Sequence, residues 1–521
     1  MVFKGYTKRD TSIIKGFGIL CIVLHNYFHW LIPAPGENEF EFSPDRVTNF
    51  FALLGNKPGE FVNILFSYLG HYGVQLFIFI SGFGLAVSMM RHQRSWESFV
   101  VVRLKKLYPL LLIGVVFFIF SKVLIEGAMI SDYDKREIGY KLLLIHTLLP
   151  KSGLSVNGPW WFFGLIFQCY LVFPFLFKII EKWRWKAFAV ICVVSYSLIF
   201  LFREVLTLYG GTIIMQNVPG HLPEFCLGIL LAFSNDKRIN ALWLLLAVTA
   251  FCLGNYYAAF YPFTFLSLTL IMVFAYQGLK AVPVRKKELA VFLEYFGGIS
   301  MVLFATHAIF RSPVLKVANT YTGAWGHLWS GVMFLLIVWA VAIAAKALYD
   351  NVIALLDRIH IRENKATHYA GIVAKTFFLA FFVYVFGYFI AQNLDRLENT
   401  SAFEDNTVSG VIASDAEYYN FAKTDFEERM IVLSINGSVD ITSLDTSADL
   451  PWLVLDIPGV IWDRIEIPKS FNNGETQKFE FSYRYLTPCN KSLKGKNVNM
   501  YFWNRKHGSM RFENAEISLN Y

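Results

Sequence analysis

Charge is scarce in this chain. Only 17% of its 521 residues are Asp, Glu, Lys or Arg, against about 25% in an ordinary soluble domain, while 55% are hydrophobic, with 51 Phe and 26 Tyr. Mean hydropathy is +0.45. Cysteine is also scarce. Five of the six (Cys21, Cys169, Cys192, Cys226 and Cys252) lie in apolar segments, where a thiol behaves as a small hydrophobe, and Cys489 stands alone in the polar C-terminal part. That part therefore has no internal disulfide, and no Cys-x2-Cys or other metal-ligand spacing occurs. There is no phosphate-binding P-loop, no Gly-x-Ser-x-Gly elbow and no His-Glu-x-x-His, which removes the sequence basis for ATP hydrolysis, hydrolase-type serine chemistry and zinc proteolysis.

What remains in abundance is long apolar segments. Eleven are read as spans, at about 12–33, 61–90, 107–125, 159–180, 187–202, 211–234, 241–256, 258–279, 289–310, 328–345 and 374–391. Each approaches the roughly 20 residues that cross a ~30 Å hydrocarbon core. Lys4, Lys8 and Arg9 precede the first, as in a signal peptide, but polar residues interrupt it and a small-residue cleavage pattern is lacking, so it is expected to stay as an uncleaved span.

Charge is unevenly shared. Residues 401–521 hold 12 Lys+Arg against 17 Asp+Glu, a net of −5, which leaves +13 on the first 400. The basic surplus needs no nucleic-acid partner. It clusters at 91–106, 182–186, 237–238, 284–287 and 346–365, which are alternate connections on the side of the N-terminus. The positive-inside rule puts that side in the cytoplasm, and eleven spans then place the C-terminal part outside. Within it, Phe479, Phe481, Tyr483 and Tyr485 alternate with Glu480, Ser482 and Arg484, the period-two mark of a half-buried strand. Similar runs (WDRIEIP, VNMYFW, FENAEISL) are separated by turn residues such as Asn472-Asn473-Gly474. The expectation is a polytopic α-helical membrane protein of ten to eleven transmembrane helices over 1–392, a linker at 393–424, and an extracytoplasmic β-sandwich-like domain at 425–521.

The first span, SIIKGFGILCIVLHNYFHWLIP, carries Lys15 at its start and His25, Asn26 and His29 in its second half. An ionisable group inside a bilayer costs roughly 2.5–3.5 kcal/mol on insertion scales and usually faces a cavity. His25 and His29 share a helix face, and Lys15 lies about three turns below Asn26. An imidazole is the natural general base near neutrality. A simpler reading leaves His29 and Trp30 at the membrane interface. Arg103 and Lys106, three apart at the start of a span, can face inward together and suit a phosphate-rich donor, although a topology signal explains part of that charge. Ser81 lies in SGFG, where glycines allow close helix approach. Trp161 lies in NGPWWF, which opens the fourth span. Glu224 and His307 interrupt apolar runs; each is a cavity candidate or a satisfied structural group. Trp452, Trp462 and Trp503 of the C-terminal part suit sugar stacking or core packing.

Six pieces in order, IKGFGILCIVLHN, YGVQLFIFISGFGL, RLKKLYPLLLI, NGPWWFFGLIFQCYLVFPFLF, LPEFCLGILLA and FGGISMVLFATHAIF, resemble the membrane-bound acyltransferase 3 family over about residues 5–350. The resemblance implies a ten-helix enzyme of the bacterial inner membrane. It would move an acyl group, commonly acetyl, from cytoplasmic acyl-CoA to a carbohydrate hydroxyl, with no permanently bound cofactor. Lys15, Arg103 and Lys106 would hold the CoA phosphates, and His25 would deprotonate or polarise the acceptor or take the acyl group itself. Two departures stand out. The family's basic-x10-His pattern counted from Lys15 lands on Asn26, with His25 one residue early and His29 a rival; and Arg-x-x-Arg is here Arg103-x-x-Lys106. The alternative class is a polysaccharide exporter or flippase without transfer chemistry, and a third is a sugar sensor. An eleventh span leading outside also resembles a family arrangement, but the hydrolase-like appended domain does not carry over, for want of a Gly-Asp-Ser block.

Overall fold

A computed structural model describes residues 3–358, apart from 32, 35–39, 41, 44, 126–128, 150–151, 209–212, 235–238, 282–286, 319 and 321–322, together with eight strands between Asn406 and Asn520. The chain divides into two compact units, Met1–Arg203 with Thr212–Val373, and Glu204–Gly211 with Ala374–Tyr521.

The first unit is helical. Its helices are α1 (Lys8–Phe28), α2 (Arg46–Asn56), α3 (Phe61–Leu69), α4 (Gly73–Arg91), α5 (Trp96–Phe120), α6 (Asp132–Leu142), α7 (Trp161–Trp183), α8 (Trp185–Leu208), α9 (Val218–Ala232), α10 (Leu242–Tyr256), α11 (Thr264–Ala281), α12 (Lys287–Thr306), α13 (Arg311–Ala318) and α14 (Ala324–Arg358). By length and composition, eight helical segments can cross a membrane: Lys8–Phe28, Pro58–Arg91, Trp96–Ile125, Gly158–Trp183, Trp185–Arg203, Tyr261–Lys280, Glu288–Thr306 and Ala324–Leu356. The count among the described residues is thus eight, below the ten to eleven expected. The expected sixth and seventh spans are α9 and α10, of 15 residues each. At 1.5 Å per residue they reach about 22 Å, short of a ~30 Å core. The expected eleventh, 374–391, lies outside the described residues.

The expected second span is not one helix. A 3₁₀ turn, Gly70–Tyr72, separates α3 from α4. Gly70 and Gly73 press on α1 there: a Cβ at Gly70 would meet the His25 Cβ at 2.8 Å, and one at Gly73 would meet the Ile22 side chain at 3.0 Å. Only glycine admits so close a backbone approach.

Helix α1 is the hub. Thr7 and Asp10 form a reciprocal capping box at its start, and Asp10 also accepts from the Tyr276 hydroxyl at 2.8 Å and the Lys280 ammonium at 2.9 Å, tying α1 to α11. On another side, a Cβ at Gly16 would meet the Leu293 backbone and one at Gly297 the Ser12 backbone, each Cα at 3.0 Å, so α1 and α12 touch main chain to main chain. Tyr6 stands edge-on to Phe79 and Phe83 at 6.1 and 5.2 Å. The start of α1 therefore lies beside the later turns of α4, and the two run antiparallel. Helix α9 is buried along almost its whole length and crosses α4. At the start of α7, Trp160 Nε1 donates to the Ala305 carbonyl of α12 at 2.8 Å.

The second unit holds antiparallel strands β1 (Asn406–Ile412), β2 (Tyr418–Asp425), β3 (Val432–Ser443), β4 (Trp452–Ile457), β5 (Ile461–Glu466), β6 (Thr476–Leu486), β7 (Asn497–Trp503) and β8 (Met510–Asn520). They form two four-stranded sheets, β1-β8-β3-β6 and β2-β7-β4-β5. The alternation at Phe479 and Phe481 is real: both are buried in β6, opposite Val439 and Gly437 of β3. Strands β1 and β2 occupy residues expected to be linker, so sheet begins at Asn406.

Candidate active site

A cavity of about 550 Å³ opens where α1 ends, bounded by the turn before α4, the stretch leading into α7, the end of α12 and the start of α13. His25, Asn26, His29 and Trp161, four of the residues singled out from sequence, line it together with His71, Trp30 and Arg311.

The hydrogen bonds of His25 decide its chemistry. Its Nδ1 lies 3.2 Å from the Phe66 carbonyl and 3.1 Å from that of Ser67, both in α3. Carbonyl oxygens only accept, so Nδ1 carries the hydrogen and Nε2 is the basic nitrogen. His29 repeats the device. Its Nδ1 donates to the His25 carbonyl at 2.6 Å, and the two rings stack with centroids 4.7 Å apart and planes 13° from parallel. His71 stands edge-on to His25 at 5.3 Å; its Nε2 faces Arg46 Nη2 at 3.5 Å, and the same Nη2 donates to the Tyr68 carbonyl at 3.0 Å. The Asn26 amide Nδ2 donates down its own helix to the Ile22 carbonyl at 3.0 Å. The Asn26 carbonyl accepts from Arg311 Nη1 at 3.1 Å, and that guanidinium lies 4.8 Å over the Trp30 ring. Burial pulls Arg311 down to about 10, which leaves it cationic near neutrality.

The opposite wall comes from NGPWWF and the residues before it. Leu154, Val156, Gly158, Pro159 and Trp161 line the cavity. Val156 has φ +62°, a left-handed conformation costly for a β-branched residue. This stretch is held from behind by Lys141, which is fully buried and donates to the carbonyls of Ser152 and Gly153 at 3.4 and 3.3 Å. Burial pulls the Lys141 ammonium down to about 7, with Glu137 opposing. His146 Nε2 reaches the Trp160 carbonyl at 3.1 Å, and burial together with Lys141 takes that imidazole down to about 3.

Glu224 and His307 sit just behind the lining. The Trp161 ring stacks on His221 at 5.8 Å and 23°. His221 Nε2 donates to the Met215 carbonyl at 2.7 Å, so its Nδ1 faces Glu224 Oε1, 3.6 Å away, as an acceptor facing an acceptor. His307, next to Phe304 of the lining, spends Nδ1 on the carbonyls of Leu303 and Phe304 at 3.2 and 2.9 Å, and its buried Nε2 has no hydrogen-bond partner among the described residues.

The remaining candidates do not line the cavity. Lys15 is ten residues before His25, about 15 Å along the helix. Arg103 donates to Ser88 Oγ at 3.4 Å and lies 5.2 Å over the Phe99 ring, while Lys106 is exposed. Ser81 is half-buried on α4. In the second unit the three Trp do come together: Trp503 stands edge-on to Trp452 at 5.6 Å and to Trp462 at 6.1 Å, with Arg464 3.6 Å over Trp452. Sequence reasoning missed His71, Arg46 and Arg311. The signal for His71 was present, an ionisable residue between glycines in an apolar run. Arg311 reads as an ordinary charge after a span until the fold brings it beside Asn26.

The sequence model of one family, described as an acyltransferase domain, matches residues 11–349. Among curated proteins, acyltransferase MdmB of Streptomyces mycarofaciens is 32% identical over 121 residues, which are 22% of this chain and 30% of that protein. The match thus spans less than a third of that relative's length. No solved structure matches the chain.

Proposed function

Because the chain belongs to the membrane-bound acyltransferase 3 family, we propose that it is an O-acyltransferase of the bacterial inner membrane that moves an acetyl group from cytoplasmic acetyl-CoA to a hydroxyl of a cell-surface or exported carbohydrate. The observation that carries the chemistry is the pinned tautomer of His25, with Nδ1–H held by two carbonyls and Nε2 left as the base at a cavity of about 550 Å³. In the proposed step, Nε2 removes the acceptor's hydroxyl proton as that oxygen attacks the thioester carbonyl carbon. The C–S bond then breaks, and the departing thiolate takes the proton back from the imidazole. His29, stacked beside it, is the rival base.

The proposed donor end is the start of α1. Helix α4 runs back toward that end from the cavity, and Arg103 is bonded to Ser88 in its last turns. This supports a donor-to-acceptor axis, with Lys15, Arg103 and Lys106 receiving the CoA phosphates and the cavity receiving the sugar. On the same reading the N-terminus is cytoplasmic. The second unit lies outside, its two sheets stacked as a sandwich that presents glycan. The family membership does not favour an exporter without chemistry.

The test is transfer of label from acetyl-CoA to candidate glycans by the purified full-length protein. His25→Ala should lose about 10²–10⁴ in rate, the range general bases supply. Undiminished transfer by that variant overturns the mechanism, and absence of CoA binding overturns the function.

A further inference from the structure

Among the described residues, no carboxylate answers the cation of Arg311 at the cavity. Two half-buried lysines of this unit are matched: Lys122 meets Asp134 at 2.6 Å and Lys280 meets Asp10 at 2.9 Å. Arg311 donates to one main-chain carbonyl and lies over one Trp ring, and among the described residues that line the cavity none is acidic. An uncompensated guanidinium beside a partly desolvated cavity attracts an anion, and its planar fork matches a carboxylate or phosphate with two parallel hydrogen bonds.

We propose that Arg311 is an anion site in the acceptor half of the cavity, so that the acyl acceptor is an acidic saccharide whose carboxylate or phosphate group it holds. The placement argues for acceptor over donor. Arg311 is anchored to Asn26 and Trp30 at the far end of α1, eleven residues beyond Lys15 at Asn26, or about 16 Å along the helix from the proposed phosphate site. His25 and His29 lie on the same stretch, so an anion held there brings a neighbouring sugar hydroxyl to the imidazole pair. Assignment to an acceptor rests on the acyl-transfer reading; the anion site itself does not.

The experiment is calorimetric titration of the full-length protein in lipid nanodiscs with D-glucuronate, with neutral D-glucose and with CoA. Wild type should bind glucuronate about 10- to 100-fold more tightly than glucose, the range of a charge-assisted pair. Arg311→Gln should lose that preference, Arg311→Lys should keep part of it, and CoA affinity should be the same in all three. Equal affinity of the wild type for both sugars, no binding of glucuronate, or a preference that survives Arg311→Gln overturns the proposal. A loss of CoA affinity in Arg311→Gln moves the site to the donor and overturns it as well. If Arg311→Gln fails to fold, the wild type against Arg311→Lys still decides. Binding is read without turnover, so selective uptake of glucuronate with no acetyl transfer fails the enzymatic reading alone.

Discussion

Replacing Gly82 by alanine tests whether the SGFG stretch is a helix crossing, and the same stretch supplies its own control. A Cβ at Gly82 would fall inside the shell of the Phe225 carbonyl oxygen, with the carbonyl carbon at 3.0 Å and the Phe225 ring at 3.3 Å. Relaxed carbon–carbon contact is about 3.5–4.0 Å, so α4 and α9 must part by roughly 0.5–1 Å. Gly228 repeats the geometry from the other side, against Phe83 N at 2.8 Å and the Phe79 carbonyl carbon at 3.1 Å. Overpacking of this kind costs about 1–3 kcal/mol, and in a bilayer such close packing is the main force between helices. At Gly84, two residues on, an added Cβ meets nothing within 4 Å. There the substitution only improves helix propensity, by up to about 1 kcal/mol. Reversible unfolding in one detergent should therefore rank Gly84→Ala at or above wild type and Gly82→Ala clearly below. The Gly82/Gly228 double variant should cost less than the sum, since the first change already parts the helices. Equal stability of Gly82→Ala and Gly84→Ala would refute the crossing.

Three further outcomes are expected. His25→Gln should slow transfer by about 10²–10⁴, whereas His29→Gln, which keeps His25 Nδ1 pinned to Phe66 and Ser67, should reduce it less than tenfold; the reverse order, read from kcat at saturating acetyl-CoA, assigns the base to His29. Lys141 has its folded value lowered from 10.5 to about 7 by burial. The unfolded chain then holds more protons between those two values, and stability rises with pH across that window by up to about 1.4 kcal/mol per unit. Below pH 7 this slope vanishes, and Lys141→Met should remove it from the difference in unfolding midpoints at pH 7 and 9.5. Trp160→Phe strands the Ala305 carbonyl that now accepts at 2.8 Å, which should lower stability by about 1–3 kcal/mol; an unchanged melting point would deny that bond a role.

The cavity was partly legible in the chain, through residues whose type is improbable where they stand. His25 and His29 are costly in an apolar helix and share one face, and both line the cavity. Trp161, at the opening of a span, lines it too. Lys15, Arg103 and Lys106 were equally visible as charges, expected at a donor end away from the imidazoles; none of them lines the cavity, and Lys106 is exposed. Ser81 belongs to a helix crossing whose partner, Phe225, is some 140 residues away.

The sequence alone determined where apolar segments lie, that the first carries two imidazoles on one face, and that the C-terminal part alternates as strands. These are local quantities, read from composition and period. The tertiary structure alone decided the rest. The run at 61–90 breaks at Gly70–Tyr72, because two glycines let that turn press on α1 beside His25. This break lets His71 face His25 and brings the carbonyls of Phe66 and Ser67 onto Nδ1, choosing the tautomer. Arg311 becomes a group of the cavity only when the start of α13 meets the end of α1, 285 residues apart in the chain. Side-chain type announces a cost, and only a partner brought from far along the chain shows how that cost is used.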